Sequence, residues 1–328
     1  MKIAFGLLNN LPVKESLDIA RRAEDLGYDS IWFAEHNFSR DGVSVCAAAG
    51  AVTERIRIGP CVVPIFTRSP LLLATTFATL DELTGGRVVL GLGAGSRLLI
   101  KAQGIDYERP LSVLREYVEG CRAVWKGFGR HVSYEGSHVI LEDAELDFQP
   151  IREEIPIYIG ATGPKSCELS GEIADGVLLN AFLGEDYVKR TMKLLQTGAA
   201  KAGRHLDHWD VGMMLVTCIG ESKQETRNRL RPLIALYLSR LPDIAKQTSI
   251  WGSGWEEMSN AVAHGGGDAG AKFVSDELVD EVSINGTESD LHEGLEHYLS
   301  AGITMPIITP FAEERRVLEA LAPRADRD

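Results

Sequence analysis

The tightest constraint on this chain is an alternation that runs from end to end: short apolar stretches, each followed by a segment with helical periodicity. Residues 3–8 read as a strand. Pro12 then opens a helix with Val13, Leu17, Ala20, Ala23 and Leu26 on one face, closed by Gly27. Further strands are predicted at 30–34, 56–66, 88–92, 155–159, 176–179, 211–219 and 304–309. Helices at 43–52, 69–83, 110–127, 164–174, 185–202 and 222–240 separate them. The helix after the third strand carries a sharp start signal, Ser69-Pro70, and stops at Gly85-Gly86. Strand–helix–strand runs of this kind need right-handed parallel crossovers, and eight of them fit a closed barrel.

The predicted fold is therefore α/β, a (β/α)8 TIM barrel formed by residues 1–328 as one domain. Two segments, 128–150 and 241–285, read as insertions at the C-terminal face, the first with a possible hairpin around Ser133-Tyr134-Glu135-Gly136. An open doubly wound sheet is the rival. It requires a G-x-G-x-x-G after the first strand, where this chain has Leu8-Asn9-Asn10-Leu11-Pro12. The run His264-Gly265-Gly266-Gly267-Asp268-Ala269-Gly270 reads as a mobile loop, and residues 322–328 as a fraying end.

Charge and cysteine usage narrow the function. With 34 basic and 47 acidic residues the formal charge is −13, unsuited to a nucleic-acid backbone. Five scattered cysteines without a C-x-x-C argue against a disulfide framework or a metal site. No apolar run is long enough to span a membrane, and no signal-like leader precedes the first strand. The expectation is a reduced, cytoplasmic protein with a small-molecule substrate.

In a barrel, ligands gather where the strands end at the C-terminal face. The second strand ends in Ala34-Glu35-His36, which places an acid and an imidazole at the mouth. On the functional reading His36 assists proton transfer and Glu35 orients a ligand; on the plainer one His36 bonds to a loop. The third strand, Ile58-Gly59-Pro60-Cys61-Val62-Val63-Pro64, holds residues that mark bulges, so its backbone is expected to enter the mouth. Gly93-Ala94-Gly95 after the fourth strand would let a flat ligand approach the backbone. Gly160-Ala161-Thr162-Gly163 leads into a helix opened by Pro164, and its free amides and dipole suit a phosphate, with Lys165 adding charge. Asn180 ends the sixth strand and can offer both a donor and an acceptor to a heterocycle edge. The charged run from Leu80 to Arg87 lies at a helix-to-strand turn on the opposite, stability-bearing face. Trp251 and Trp255 either line the substrate pocket or pack against each other.

Several motifs together resemble the luciferase-like superfamily of flavin oxidoreductases. They are I-G-P-C-V-V-P (58–64), T-R-S-P (67–70), A-T-L-D-E-L-T-G-G-R (78–87), L-G-L-G-A-G (90–95), I-P-I-Y-I-G-A-T-G-P (155–164) and G-E-I-A-D-G-V-L-L-N-A (171–181). Within that superfamily the chain is most similar to coenzyme F420-dependent methylenetetrahydromethanopterin reductases, mainly over residues 1–220. The resemblance implies a non-prolyl cis peptide at Cys61-Val62, with that bulge backing the deazaflavin ring near Glu35 and His36. It also implies the coenzyme phosphate on the amides of Gly160 to Gly163. The expected cofactor-binding set is thus Cys61, Val62, Pro64, Gly93, Ala94, Gly95, Gly160, Ala161, Thr162, Gly163 and Asn180.

Two departures bear on the substrate. Sugar- and alcohol-oxidising relatives carry a glutamate where this chain has Ala94, and methanopterin reductases carry an acid in the first strand, where it has Gly6. The resemblance implies hydride transfer between F420 and an electron-poor carbon, and a homodimer. The alternatives are an FMN-dependent monooxygenase on the same fold and a cofactor-binding relative that has lost its catalytic groups.

Overall fold

The computed structural model describes residues 2–35, 39–207 and 209–323. The eight expected barrel strands are present: β1 (Ala4–Leu7), β2 (Ser30–Ala34), β3 (Arg57–Cys61, resuming as Val63–Pro64), β4 (Leu90–Gly93), β5 (Ile157–Ala161), β6 (Gly176–Leu179), β7 (Asp210–Ile219) and β8 (Met305–Pro310). Neighbours pair in parallel from β3 through β2, β1, β8, β7, β6 and β5 to β4. The first half of β3 pairs with β2, ending at Ala34 opposite Cys61, and its second half pairs with β4, starting at Val63 opposite Leu92. One strand thus closes the circle by changing partner at its bulge. The Ile65 amide donating to the Gly93 carbonyl at 2.9 Å extends the seam.

The helices that position the mouth are α1 (Val13–Asp25), α2 (Gly42–Gly50), α3 (Pro70–Thr84), α4 (Pro110–Lys126), α5 (Pro164–Ile173), α6 (Glu185–Lys201) and α7 (Lys223–Arg240). They are followed by α8 (Trp255–Gly270), α9 (Asp276–Val282), α10 (Glu288–Ala301) and α11 (Glu314–Ala320). As predicted, Ser69 caps α3 by accepting from the Leu72 amide at 3.3 Å, and Gly85 ends it in the left-handed region at φ 60°.

Trp32, Tyr158, Leu178, Met305 and Ile307 fill the barrel interior, with Trp32 stacked on Tyr158 at 5.7 Å. A charged plug seals the N-terminal face. The Arg57 guanidinium donates to Asp210 at 3.0 and 3.1 Å and also to Asp29, and the Tyr158 hydroxyl reaches the same Asp210 carboxylate. Nearby, Asp81 is wholly buried against Arg152, and Arg87 donates to the carbonyls of Thr84, Ile56 and Thr53 at 2.7–2.8 Å. The charged run 80–87 is structural, as its place in the sequence suggested.

Two expectations need correction. The segment 128–150 does form an antiparallel hairpin, Val132–Glu135 with Ile140–Ala144. It joins the end of α4 to the start of β5, on the side away from the mouth. Its turn lies along α4, where Glu116 accepts from the amides of Ser137, His138 and Val139. Residues 264–270 are not a free loop: α8 breaks at Gly265 and Gly266, which leave the helical region, and resumes through residues 267–270. The glycines there serve contact: a Cβ on Gly267 would stand 2.3 Å from the Pro232 carbonyl oxygen of α7, and one on Gly270 2.9 Å from the Ala235 Cβ. Small residues let two helices approach, and a glycine run in sequence does not separate that use from a flexible loop.

Candidate active site

The mouth is organised by the β3 bulge. The Cys61-Val62 peptide is cis, as the resemblance implied. The bulge fits because three neighbours lack side chains. A Cβ on Gly91 would lie 1.9 Å from the Pro60 carbonyl oxygen; on Gly93 and Gly160 it would lie 2.6 and 3.0 Å from a Val62 methyl. Gly93 therefore serves the protein's own backbone and Val62, which occupy the space its sequence position suggested for a ligand. Burial pushes the Cys61 thiol up to about 12, so it is a neutral group in this wall. Gly95 (φ 72°) turns the chain beside Pro64, and Ala94, just before it, is half-buried.

Next to β4, β5 runs through Gly160 and Ala161 to Thr162 and Gly163, and α5 begins at Pro164. Gly163 is an N-cap with no side chain to occupy the helix end. The Cys167 amide makes the first helical bond, to the Gly163 carbonyl at 3.0 Å, so the amides of Gly163, Lys165 and Ser166 lie outside the ladder. The space in front is open: a Cβ on Gly163 would meet nothing nearer than the Ser166 hydroxyl at 3.9 Å. Tyr187 braces the turn by donating to the Thr162 carbonyl at 2.8 Å.

Glu35 stands at the end of β2, mostly buried. One of its carboxylate oxygens accepts from the Gly42 amide at the start of α2, and the other is 4.0 Å from Arg68. Burial raises its pKa above the ordinary carboxylate range, with nearby Asp41 adding to the effect against the Gly42 amide and Arg68. Glu35 is therefore anchored to a helix end, with a single oxygen left for a ligand. His36 lies outside the described residues. Asn180 follows β6, and its Oδ1 is fully engaged, accepting from the Tyr237 hydroxyl at 2.7 Å and the Ala181 amide at 2.8 Å. The acceptor expected of Asn180 is thus spent inside the protein, and only its donors remain.

Residues 4–305, most of the chain, match the luciferase-like monooxygenase family. The chain belongs to this family. It is 32% identical to the 5,10-methylenetetrahydromethanopterin reductase of Archaeoglobus fulgidus over 312 residues, covering 94% of this chain and 92% of that one. A putative coenzyme F420-dependent oxidoreductase of Mycobacterium tuberculosis is 28% identical, with 97% of each chain covered. Among solved structures, the coenzyme F420-dependent tetrahydromethanopterin reductase of Methanopyrus kandleri superposes with a TM-score of 0.85 at 25% identity, over 98% of this chain and 97% of that one.

Several residues of this luciferase-like mouth carried no sequence signal. Tyr237 comes from α7, more than fifty positions beyond Asn180. Phe66 and Tyr107 pack at 5.1 Å on the rim, and the Tyr107 hydroxyl donates to the Gly95 carbonyl at 3.3 Å. Asn9, only 2% exposed in the left-handed region after β1, donates to the Ala34 carbonyl at 2.6 Å and ties β1 to the turn that holds Glu35. A lone polar residue in a loop gives no periodicity to read. Trp251 and Trp255 do pack together, at 4.7 Å, and Trp255 donates to the Leu238 carbonyl of α7.

Proposed function

We propose that this protein is a coenzyme F420-dependent oxidoreductase that moves hydride between the deazaflavin and an electron-poor carbon of a small organic substrate. The observation that carries a flavin-type reading is geometric: the uncapped amides of Gly163 and the Val62 bulge are linked through one strand, β5, whose Gly160 packs on Val62. A phosphate cradle and a shelf for a flat ring thus stand at a fixed separation, and the residues fit such a coenzyme. The choice of F420 over FMN rests on the F420-dependent enzymes that this chain resembles along its whole length.

In this reading the amides of Gly163, Lys165 and Ser166 hold the phosphate, and Cys61 and Val62 support the ring. The bound coenzyme supplies the hydride chemistry, and the protein positions, orients and excludes water. Glu35, held by the Gly42 amide, orients a ligand through its other oxygen, and His36 assists proton transfer. Cys61, Val62, Pro64, Ala94, Gly95, Gly160, Ala161, Thr162, Gly163 and Asn180 make up the cofactor side, with Gly93 seating Val62 behind it.

The substrate range includes a methylene-pterin, as in the reductases that this chain resembles. A side chain at Gly6 would meet Thr309 Oγ1 at 2.8 Å and an Ile307 methyl at 2.9 Å, so an acid at that one position has no room, and another reductase substrate is the alternative. A homodimer is part of it, supported by Leu72 and Leu83, which stand about half exposed on α3. Five unpaired cysteines support a cytoplasmic location, and no helix among the described residues is long and apolar enough to cross a membrane.

Titration of the purified protein with F420 and, separately, with FMN, following coenzyme fluorescence, tests the cofactor. Tight F420 binding with weak FMN binding is the expected result. Preference for FMN moves the protein to the monooxygenase branch, where oxygen consumption with reduced FMN is the next assay.

A further inference from the structure

The hydrogen bonds around Asn180 have only one consistent polarity. An amide side chain can be turned either way, and its oxygen must be identified from its partners. The Ala181 backbone N–H can only donate, so the atom 2.8 Å from it is the oxygen. The Tyr237 hydroxyl, 2.7 Å from that same atom, must then donate as well. Both lone pairs of Oδ1 are taken, and Nδ2, with two hydrogens, has no partner among the described residues.

The surroundings hold this arrangement in place. Tyr237 packs its ring on Phe182 at 4.7 Å, and Phe182 itself sits in the left-handed region at φ 59°. Leu179 pairs with Ala161, which puts Asn180 beside Thr162 at the edge of the phosphate cradle. Burial raises the pKa of the Tyr237 hydroxyl, and the Cys61 thiol adds to the effect. Asn180 and Tyr237 therefore stand between the cradle and the bulge, where the ring is proposed to lie.

We infer that Tyr237 is a positioning residue that locks Asn180 as a pure hydrogen-bond donor, so that this point of the mouth recognises an acceptor, a ring carbonyl of the bound heterocycle. This deepens the proposed function and rests on it. Without the hydroxyl, Oδ1 is held by the Ala181 amide alone, and its freed lone pair and loosened side chain turn Nδ2 away from the line on which it meets a ring carbonyl. The site gains selectivity from a residue that touches Asn180 and leaves the ligand contact to it.

The test is a four-protein set, wild type, Tyr237→Phe, Asn180→Ala and the double variant, with Asn180→Asp as a fifth. Each is titrated with F420 and with FMN by fluorescence, alongside a thermal melt. Tyr237→Phe keeps the contact with Phe182, and Asn180 Oδ1 keeps its bond to Ala181, so the melting temperature should not move. Coenzyme affinity should fall about 5- to 10-fold, the scale of one misdirected neutral hydrogen bond. In the Asn180→Ala background the same change should have no further effect. Asn180→Asp should bind more weakly than Asn180→Ala, because it sets an anion against a carbonyl. Unchanged affinity in Tyr237→Phe, or an equal loss in both backgrounds, overturns the assignment. If wild type prefers FMN, the F420 reading fails while the variant series on FMN still decides Tyr237, since both rings carry the same pyrimidine carbonyls. If wild type binds neither, both ideas fall.

Discussion

The Cα of Gly91 faces the carbonyl oxygen of Pro60 so closely that a Cβ would stand 1.9 Å from it. Strand β4 is thus shaped by the bulge of β3, and the mouth depends on a glycine whose missing side chain makes room for backbone. Gly91→Ala must push backbone against backbone. The expected cost is at least about 3 kcal/mol, the upper end for overpacking, with coenzyme binding lost in parallel. Urea denaturation of the two proteins reads this, and equal midpoints would show that β4 does not seat the bulge.

Gly163 predicts the opposite pairing of effects. Space before it is open and its backbone (φ −84°, ψ 160°) is one that any residue adopts. Asp at this N-cap gains a few tenths of a kcal/mol of helix stability over glycine, while its charge repels a phosphate. Gly163→Asp should therefore melt no lower than wild type and bind coenzyme far more weakly. Unchanged affinity by fluorescence quenching would remove the phosphate-cradle assignment.

Glu35 makes stability depend on pH in a stated direction. Its folded pKa lies above the ordinary 4.5, chiefly through burial, so the native state holds the proton more tightly than the unfolded chain. Its favourable contribution is complete below 4.5 and is lost as pH rises through the raised folded value. Glu35→Gln, which cannot ionise, should gain on wild type as pH climbs through that window. Denaturation curves at a series of pH values test it; a constant difference between the proteins would mean Glu35 is not perturbed in this sense.

The α7–α8 contact is equally exposed to test. Gly267→Ala places a methyl 2.3 Å from the Pro232 carbonyl and should cost about 1–3 kcal/mol. A solvent-mobile glycine run would tolerate the change without loss, so an unaltered urea midpoint would return the segment to the loop reading.

Much of this was legible in the residues themselves. The alternation of apolar strands with helices determined the barrel, because period and order are local properties that survive in a linear string. Ser69-Pro70, Gly85 and Gly163-Pro164 announced helix ends, because capping is settled within a few residues. The I-G-P-C-V-V-P run announced the bulge by the same local logic.

What the glycines and polar groups do was decided by tertiary structure alone. Gly93 reads like a ligand-facing glycine and instead receives Val62 from the neighbouring strand; Gly267 reads like a loop and instead receives Pro232 from another helix. Asn180 reads as both donor and acceptor until Tyr237, from a distant helix, takes its oxygen. A side chain's chemistry is written in its type, but which half of that chemistry stays free depends on partners that only folding brings within hydrogen-bond reach.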